Sequence, residues 1–292
     1  MTPLWNSGLR AKSFSKLDHG EPSAWRQAAL RYAHEMTSPA VSFVVPAYNE
    51  ELLLPRTLDS LHATARELQL DYEIVVADDA STDRTGALAA EREARVVAVN
   101  NRRIAATRNA GARAASHGLL VFVDADTVVP AGALAGALGV IASGGIAGGS
   151  TCTLDGTLPG WARVLVPPLM TLYRWARLTP GAFLFCTREA FDAVGGFDES
   201  VFGGEEVLMA RALDRFAKTR GQRFTIVRSP IVTSGRKLRA YTGWELLGTL
   251  ARLTLRGRRG ARRREGFEMW YGPRRADPEG LPESRHVVKR AD

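Results

Sequence analysis

From Val41 onward, short apolar runs rich in β-branched residues alternate with helical stretches, and this alternation restricts the fold more than any other feature of the chain. Strands separated by helices of about 10 to 15 residues indicate an α/β fold, with a mostly parallel Rossmann-like sheet and helices on both faces. In such sheets ligands bind beyond the carboxyl ends of the strands, where the strand order reverses. The predicted strands are Val41–Val45, Tyr72–Ala77, Val96–Val99, Leu119–Asp124, Ile146–Cys152, Ala182–Cys186 and Phe224–Val227, and the predicted helices are Leu52–Leu70, Arg84–Glu93, Ile104–His117, Pro130–Ala142 and Glu205–Lys218.

The fourth predicted strand ends in two carboxylates, one residue apart. Side chains alternate along a strand, so Asp124 and Asp126 project to the same side at its carboxyl end. Two close carboxylates repel each other unless a cation lies beside them, and a divalent metal that also binds phosphates is the usual cation at such a place. The alternative is a simple strand end, in which Asp126 or Thr127 caps the helix after Pro130.

Polar residues also follow the first two strands. Asn49 comes after the first strand and is placed to cap the next helix. Asp78 and Asp79 end the second strand, and either could accept a hydrogen bond from the N–H of a ring. Ser81 or Asp83 could cap the helix that follows. Capping alone explains the asparagine, the serine and Asp83, but it leaves the Asp78-Asp79 pair unexplained.

The helix after the third strand carries Arg108. A guanidinium can bind a phosphate through two parallel hydrogen bonds, so Arg108 is a candidate anion ligand. Small residues at positions 105, 106, 110, 111, 112, 114 and 115 would let this helix pack very closely on its neighbours.

Positive charge is concentrated at the carboxyl end of the chain. The 292 residues include 39 basic and 31 acidic side chains, a net charge of +8. Residues 236–292 hold 15 Lys or Arg and 7 Asp or Glu, so 15 minus 7 accounts for the whole excess. We therefore predict three parts: an N-terminal extension over 1–38, an α/β domain over 39–235, and a basic amphipathic region over 236–292. Such a region suits anionic lipid headgroups, nucleic acid or a lipid-linked phosphate, and a solvated charge run is the alternative.

The remaining features predict a protein of the cytoplasm. Cys152 and Cys186 lie far apart in apolar surroundings, without metal-ligand spacing or a disulfide framework, which favours a reducing compartment. We see neither a signal peptide nor an uncharged apolar run of about 18 residues. The apolar segments Leu158–Trp175 and Tyr241–Leu255 could meet lipid at the inner face of the membrane. Alternatively, the first covers an acceptor pocket and the second packs on the domain.

Six short segments of the chain form an ordered set of motifs. They are Val44-Val45-Pro46-Ala47-Tyr48-Asn49-Glu50, Asp78-Asp79-Ala80-Ser81-Thr82-Asp83, Arg108-Asn109-Ala110-Gly111, Val123-Asp124-Ala125-Asp126, Gly195-Gly196-Phe197-Asp198-Glu199 and Gly204-Glu205-Glu206. They occur in the order found in the family 2 glycosyltransferases, which the chain resembles over roughly residues 40–235. Each segment is a weak signal alone, and the ordered set is a strong one. The resemblance implies the nucleotide-sugar-binding GT-A fold and an inverting, hexosyltransferase-type enzyme.

The resemblance assigns the donor side of the site. Asp79 would hydrogen-bond the base, typically uracil, and Arg108 would lie near the pyrophosphate. Asp124 and Asp126 match the family's DxD motif, which implies Mg²⁺ or Mn²⁺, with Asp126 the favoured direct ligand. Arg236 matches an arginine that approaches the diphosphate in compact members of the family, and a basic loop is the alternative. The remaining donor-binding candidates are Pro46, Ala47, Tyr48, Asn49, Glu50, Asp78 and Ala125.

The general base is where the chain departs from the family. Glu206 occupies the position of the usual catalytic aspartate, and it adds a methylene that moves the carboxylate by about a bond length. We favour Glu206 as the base, with Glu205 as the alternative. A helix start, where carboxylates favour the positive end of the dipole, would explain the pair without catalysis.

The resemblance also predicts the partners. A nucleotide-sugar donor, with UDP preferred, would react with a sugar, lipid-linked or small-molecule acceptor, and nucleic acid is not an expected partner. The basic C-terminal region is a candidate for peripheral contact with a membrane. The alternative function is a non-catalytic GT-A-like module that uses this basic region to contact a membrane or a polyanion.

Overall fold

A computed structural model describes residues 40–175, 179, 181–248, 260–265, 267 and 271. The predicted extension over 1–38 lies outside the described residues, as does much of the basic region. The strands are β1 (Ala40–Ala47), β2 (Asp71–Asp79), β3 (Arg95–Val99), β4 (Leu119–Val123), β5 (Thr127–Val128), β6 (Ala147–Leu154), β7 (Phe183–Thr187) and β8 (Thr225–Thr233). The helices are α1 (Leu54–Glu67), α2 (Thr85–Ala90), α3 (Ile104–Ala114), α4 (Ala131–Ala142), α5 (Gly160–Trp175), α6 (Arg188–Val194), α7 (Glu205–Lys218) and α8 (Arg236–Ala240).

All eight strands form one sheet in the order β3-β2-β1-β4-β7-β6-β8-β5. The strands β3, β2, β1 and β4 are parallel to one another, and β7 is antiparallel to both β4 and β6. The chain adds β2 and β3 on one side of β1 and then returns to place β4 on the other side. The carboxyl ends of β1, β2 and β4 therefore meet at the point where the strand order reverses, which is where α/β sheets bind ligands.

Helices cover both faces of the sheet, as predicted. One core cluster joins alternate residues of β1, such as Phe43 and Val45, to α1, α2 and α4. The second joins Val44 and Phe122 to α3, α6 and α7. Because strand side chains point to opposite faces in turn, strands such as β1, β4 and β7 contribute to both clusters.

The small residues of α3 allow the close packing that the sequence predicts. A Cβ on Gly111 would lie 2.5 Å from Cγ1 of Val44 in β1, so only glycine fits there without movement. This close approach holds α3 and its Arg108 against the sheet, beside the carboxyl end of β4.

Apart from the short strand β5, the elements that the sequence analysis missed lie in the second half of the chain. The apolar segment Leu158–Trp175, for which the sequence analysis predicts no helix, contains the continuous helix α5, which runs through Pro167 and Pro168. Helix α6 follows β7 directly, with the Thr187 hydroxyl accepting a hydrogen bond from the Ala190 N–H at its start. Helix α7 begins and ends as predicted, at Glu205 and Lys218. No helix in the described part of the chain is long and apolar enough to cross a membrane.

Candidate active site

A buried arginine joins the end of β4 to the start of α7. Arg108 is 2 % exposed, and its two terminal nitrogens donate to Asp124 at 2.7 Å and to Glu205 at 2.8 Å. Burial alone would lower the pKa of Arg108, but the charges of Asp124 and Glu205 outweigh burial and raise it. A permanently charged guanidinium therefore holds two carboxylates that lie 81 residues apart in sequence.

The second carboxylate of α7 has a different environment from the first. Glu205 is buried against Arg108, whereas Glu206 is half-buried and lies against Gly181, where a Cβ would come within 3.0 Å of its Cγ. Removal from water raises the pKa of Glu206 to about 8, the charge of Glu205 adds to the rise, and Arg108 opposes it. Perturbed carboxyl groups of this kind concentrate at functional sites.

Asp126 lies beside a second arginine. One Arg236 nitrogen is 2.5 Å from Oε1 of Glu50 and 3.4 Å from Oδ2 of Asp126. The Thr233 hydroxyl donates to Oδ1 of Asp126 at 3.3 Å, and the Ser234 N–H donates to the Asp126 carbonyl. The loop after β8 thus brings Arg236 to the end of β4, although the two sites are 110 residues apart. Asp126 does not cap α4, which begins after Pro130 without a side-chain cap.

Asp79 fixes the loop that enters α3. Its Oδ1 accepts hydrogen bonds from the N–H groups of Asn101 (2.6 Å) and Arg102 (3.0 Å), and its Oδ2 accepts from the Thr107 hydroxyl (2.9 Å). The Arg102 guanidinium in turn lies 4.4 Å from the centre of the Tyr48 ring. These contacts put Tyr48 and Asp79 on one side of the site, where the resemblance places the nucleotide base.

Asn49 and Asp78 also brace this loop region. The predicted capping of α1 by Asn49 is wrong, since no side chain caps this helix. The Asn49 Oδ1 instead accepts a hydrogen bond from the Thr82 N–H at 2.7 Å. Asp78 accepts from the Ser81 N–H at 3.2 Å, and Asp83 accepts from the Thr85 N–H at 2.9 Å. The other donor-side candidates lie at the same strand ends, namely Pro46 and Ala47 in β1 and Ala125 just after β4.

The residues at the end of β4 suit a hard divalent cation. Asp124 and Asp126 offer carboxylate oxygens, the ligand type that Mg²⁺ and Mn²⁺ prefer. Within the described residues no group of three or more His, Cys, Asp or Glu side chains could hold a metal alone. The two carboxylates would therefore need further ligands from a bound diphosphate, which is how Mg²⁺ usually binds in nucleotide sites.

An apolar cleft lies near the end of the site that carries Arg236. It has a volume of about 520 Å³ and is lined by α5 and by the chain that continues from α8. Trp175 at the end of α5 is 84 % exposed, and Trp244 is 83 % exposed. Arg239 lines the cleft and lies three residues after Arg236 on α8, so α8 connects the cleft to Asp126.

Sequence reasoning missed several residues that shape the site. Thr233 and Asp155 hold the loop that carries Arg236, with Asp155 accepting from the Gly235 N–H at 3.0 Å. Phe267 and Tyr271, from the basic region, pack beside the start of α7. No motif marks these residues, because their roles depend on contacts between distant segments.

Comparison with curated proteins finds sugar transferases among the relatives of this chain. A validoxylamine A glucosyltransferase of Streptomyces hygroscopicus subsp. limoneus is 37 % identical over 126 residues, covering 36 % of this chain and 27 % of the relative. An undecaprenyl-phosphate 4-deoxy-4-formamido-L-arabinose transferase of Pseudomonas aeruginosa is 40 % identical over 101 residues, covering 31 % and 29 %. The chain thus spans less than a third of the length of these curated relatives.

Solved structures share the fold. A mannosyltransferase of Pyrobaculum calidifontis, in complex with GDP-Man and Mn²⁺, superposes with a TM-score of 0.55 at 21 % identity, covering 80 % of this chain and 69 % of the other. A glucosyl-3-phosphoglycerate synthase of Mycobacterium tuberculosis, in complex with Mn²⁺ and UDP-glucose, gives 0.53 at 20 % identity, covering 78 % and 80 %. These matches confirm the predicted GT-A fold.

The family assignment rests on the sequence. The model of glycosyl transferase family 2 matches residues 42–189, which run from β1 into α6 and include Asp79, Arg108, Asp124 and Asp126. This match covers half of the chain, so the protein belongs to glycosyl transferase family 2.

Proposed function

We propose that this enzyme transfers a sugar from a nucleoside diphosphate sugar, with UDP as the preferred nucleotide, to an acceptor hydroxyl with inversion. The observation that carries the proposal is the ion pair of Arg108 with Asp124 and Glu205. It ties the carboxylates suited to a metal diphosphate to the helix that carries the candidate base. A donor phosphate and an acceptor proton could therefore be handled in one site.

On the donor side, Tyr48 and Asp79 would border the base, and Asp126 with Asp124 would hold Mg²⁺ or Mn²⁺ on the diphosphate. When bound, the metal would supply Lewis-acid neutralisation of the charge that develops on the leaving phosphate. Arg236, which now lies on Asp126 and Glu50, would donate hydrogen bonds to the same diphosphate. Two of the structural neighbours carry Mn²⁺ in their complexes, which supports this choice of ion.

On the acceptor side, Glu206 would act as the general base. The acceptor oxygen attacks the anomeric carbon, its proton passes to the Glu206 carboxylate, and the bond from the anomeric carbon to the diphosphate oxygen breaks. Attack from the face opposite the leaving group inverts the anomeric centre. Glu205 suits this role less well because its carboxylate is buried on Arg108.

We further propose that the acceptor has an apolar part and lies near a membrane surface. The apolar cleft and the exposed Trp175 and Trp244 support this proposal, as does the name of the Pseudomonas relative, which specifies undecaprenyl phosphate. We place the reaction in the cytoplasm, at the inner face of the membrane. Sedimentation with vesicles of phosphatidylglycerol would test the contact: the wild type should pellet, and the double variant Trp175→Ala/Trp244→Ala should stay in solution. Equal pelleting of both proteins would contradict it.

Calorimetric binding of UDP, GDP, dTDP and their sugars tests the donor site. The wild type should bind one nucleotide in the presence of Mn²⁺, and Asp126→Ala should lose that binding at least 100-fold. Asp59→Ala removes an exposed carboxylate on α1 that pairs with Arg92, and this variant should bind like the wild type. Absence of nucleotide binding by folded wild-type protein would overturn the proposed function.

A further inference from the structure

Three residues of the C-terminal region, Ala261, Phe267 and Tyr271, pack on the domain beside α7, and the exposed Arg264 contacts Tyr271. We call these four residues the C-terminal strap. Ala261 and Phe267 are 6 % and 4 % exposed, although they come from a region dominated by arginine. Arg264 donates to the Tyr271 carbonyl at 3.0 Å, and the Tyr271 N–H donates to the Phe267 carbonyl at 2.9 Å. The strap is therefore a packed, hydrogen-bonded structure.

The strap grips the turn that precedes α7. The N–H of Phe202 donates to the Ala261 carbonyl at 2.6 Å, and the Phe202 ring meets the Tyr271 ring edge-on, with centroids 5.5 Å apart. Phe267 fills the space beside Gly203, where a Cβ would lie 2.1 Å from its Cε1 atom. These contacts fix the backbone at Phe202, and the next position can only be glycine while Phe267 keeps its place.

The same turn determines the position of the start of α7, where both candidate bases lie. Gly204 has φ of +75° and immediately precedes Glu205 and Glu206, the first residues of α7. Displacement of residues 202–204 must therefore move both carboxylates, and a shift of about 1 Å is enough to lower a transfer rate by about 100-fold.

Tyr271 links the strap to α3 as well. The Ile104 N–H, at the start of α3, lies 3.4 Å from the Tyr271 hydroxyl. Burial raises the pKa of Tyr271 to about 12, and the charges of Glu205 and Glu206 contribute to the rise. Tyr271 is thus part of the same electrostatic environment as the carboxylates of α7.

We propose that the C-terminal strap is an integral part of the sugar-transfer site and positions Glu206 by holding the Phe202–Gly204 turn. This inference rests on the proposed function of Glu206 as base. It assigns a role to residues well beyond 42–189, the part that the family model matches. Phe267 and Tyr271 are positioning residues, since they act through the turn.

The experiment compares full-length Gly203→Ala, Phe267→Ala and the double variant with Gly118→Ala, a matched control in which the new Cβ meets no atom within 4 Å. Hydrogen exchange at the Phe202 amide reports the strap contact without reference to activity. Slow hydrolysis of the sugar nucleotide bound by the wild type, measured against pH, reports Glu206 without an identified acceptor. Phe267→Leu replaces Phe267→Ala if the latter does not fold.

Both single variants should lose protection at Phe202 at least tenfold, lower the hydrolysis rate about tenfold, and leave nucleotide affinity within twofold. The pKa read from the rate profile should fall toward the ordinary carboxylate range, because a loosened turn admits water to Glu206. The double variant should be no worse than Phe267→Ala, since removal of the ring makes room for the new methyl group.

Unchanged exchange at Phe202 would overturn the strap contact. Lost protection with a rate and pH profile equal to those of Gly118→Ala would leave the strap without a role in positioning Glu206 and so overturn the proposal. Failure of the wild type to bind any nucleotide would overturn the proposed function, and with it the role at Glu206, while the exchange measurement would still report the packing.

Discussion

At the scale of single residues, Arg108 decides how the two glutamates of α7 differ. It is a buried cation with two carboxylate partners, so removal of either partner leaves charge without full compensation. We expect Glu205→Ala to lower the free energy of unfolding by about 3 kcal/mol, because breaking a buried ion pair costs about that much. Urea denaturation checks this, with the exposed Glu91→Ala as control. A loss no larger than that of the control would contradict the prediction.

Glu206 should respond differently to substitution. Glu206→Gln keeps the size of the side chain but removes the proton acceptor, so we expect the transfer rate to fall by about 10³-fold with donor affinity unchanged. Steady-state kinetics and calorimetry measure the two effects separately. If Glu205→Gln instead lost about 10³-fold in rate while Glu206→Gln remained active, Glu205 would be the base.

The raised pKa of Glu206 also makes the stability of the protein depend on pH. The folded state holds this proton up to about pH 8, whereas an unfolded glutamate releases it near its ordinary value of 4.5. The folded protein therefore binds more protons between these values, and this contribution to stability, complete below about pH 4.5, is lost as the pH rises through about 8. Glu206→Gln should show a smaller loss between about pH 4.5 and pH 8. Urea denaturation at a series of pH values measures the free energy of unfolding of both proteins. The same change of this free energy with pH in the two proteins would contradict the prediction.

At the scale of elements, close approach between β6 and its neighbours depends on glycine. A Cβ on Gly148 would lie 2.2 Å from the Thr225 carbonyl oxygen and 2.4 Å from Cζ of Phe185. Both contacts involve atoms held by the sheet, so we expect Gly148→Ala to destabilise the fold by about 3 kcal/mol through overpacking. Gly139→Ala, in α4 with no atom near the new Cβ, should instead stabilise it by about 1 kcal/mol. Thermal unfolding distinguishes the two, and equal effects would contradict the packing argument.

Local sequence patterns predicted some elements of the fold and not others. Alternating runs located β1 to β4 and the helices between them, because local periodicity determines those segments. The direction of β7 is not visible in its apolar residues, since a fully buried strand reads alike in parallel and antiparallel pairing. The helix α5 was missed because Pro167-Pro168 argues locally against a helix, yet α5 runs through both prolines.

At the scale of the whole molecule, the site joins β1, β2, β4, α3, α7 and α8, so donor binding should stabilise the fold cooperatively. UDP and Mn²⁺ together, at about 100 times Kd, should add about 2.7 kcal/mol and raise Tm by about 5 to 10 °C. Either component alone should raise Tm far less, because the metal site needs ligands from both protein and diphosphate. Scanning calorimetry checks this, and an equal shift with UDP alone would contradict the metal-dependent donor site.

The sequence alone determined the fold class, the family and the residues at the strand ends, since these follow from local periodicity and from short ordered motifs around Asp79, Asp124 and Asp126. The tertiary structure decided how those residues are used. Arg108 lies under Asp124 and Glu205, Arg236 reaches Asp126 across 110 residues, and the strap at Phe267 holds the turn before α7. Such contacts depend on which segments pack together, and no local pattern in a chain encodes the distance between two of its side chains after folding.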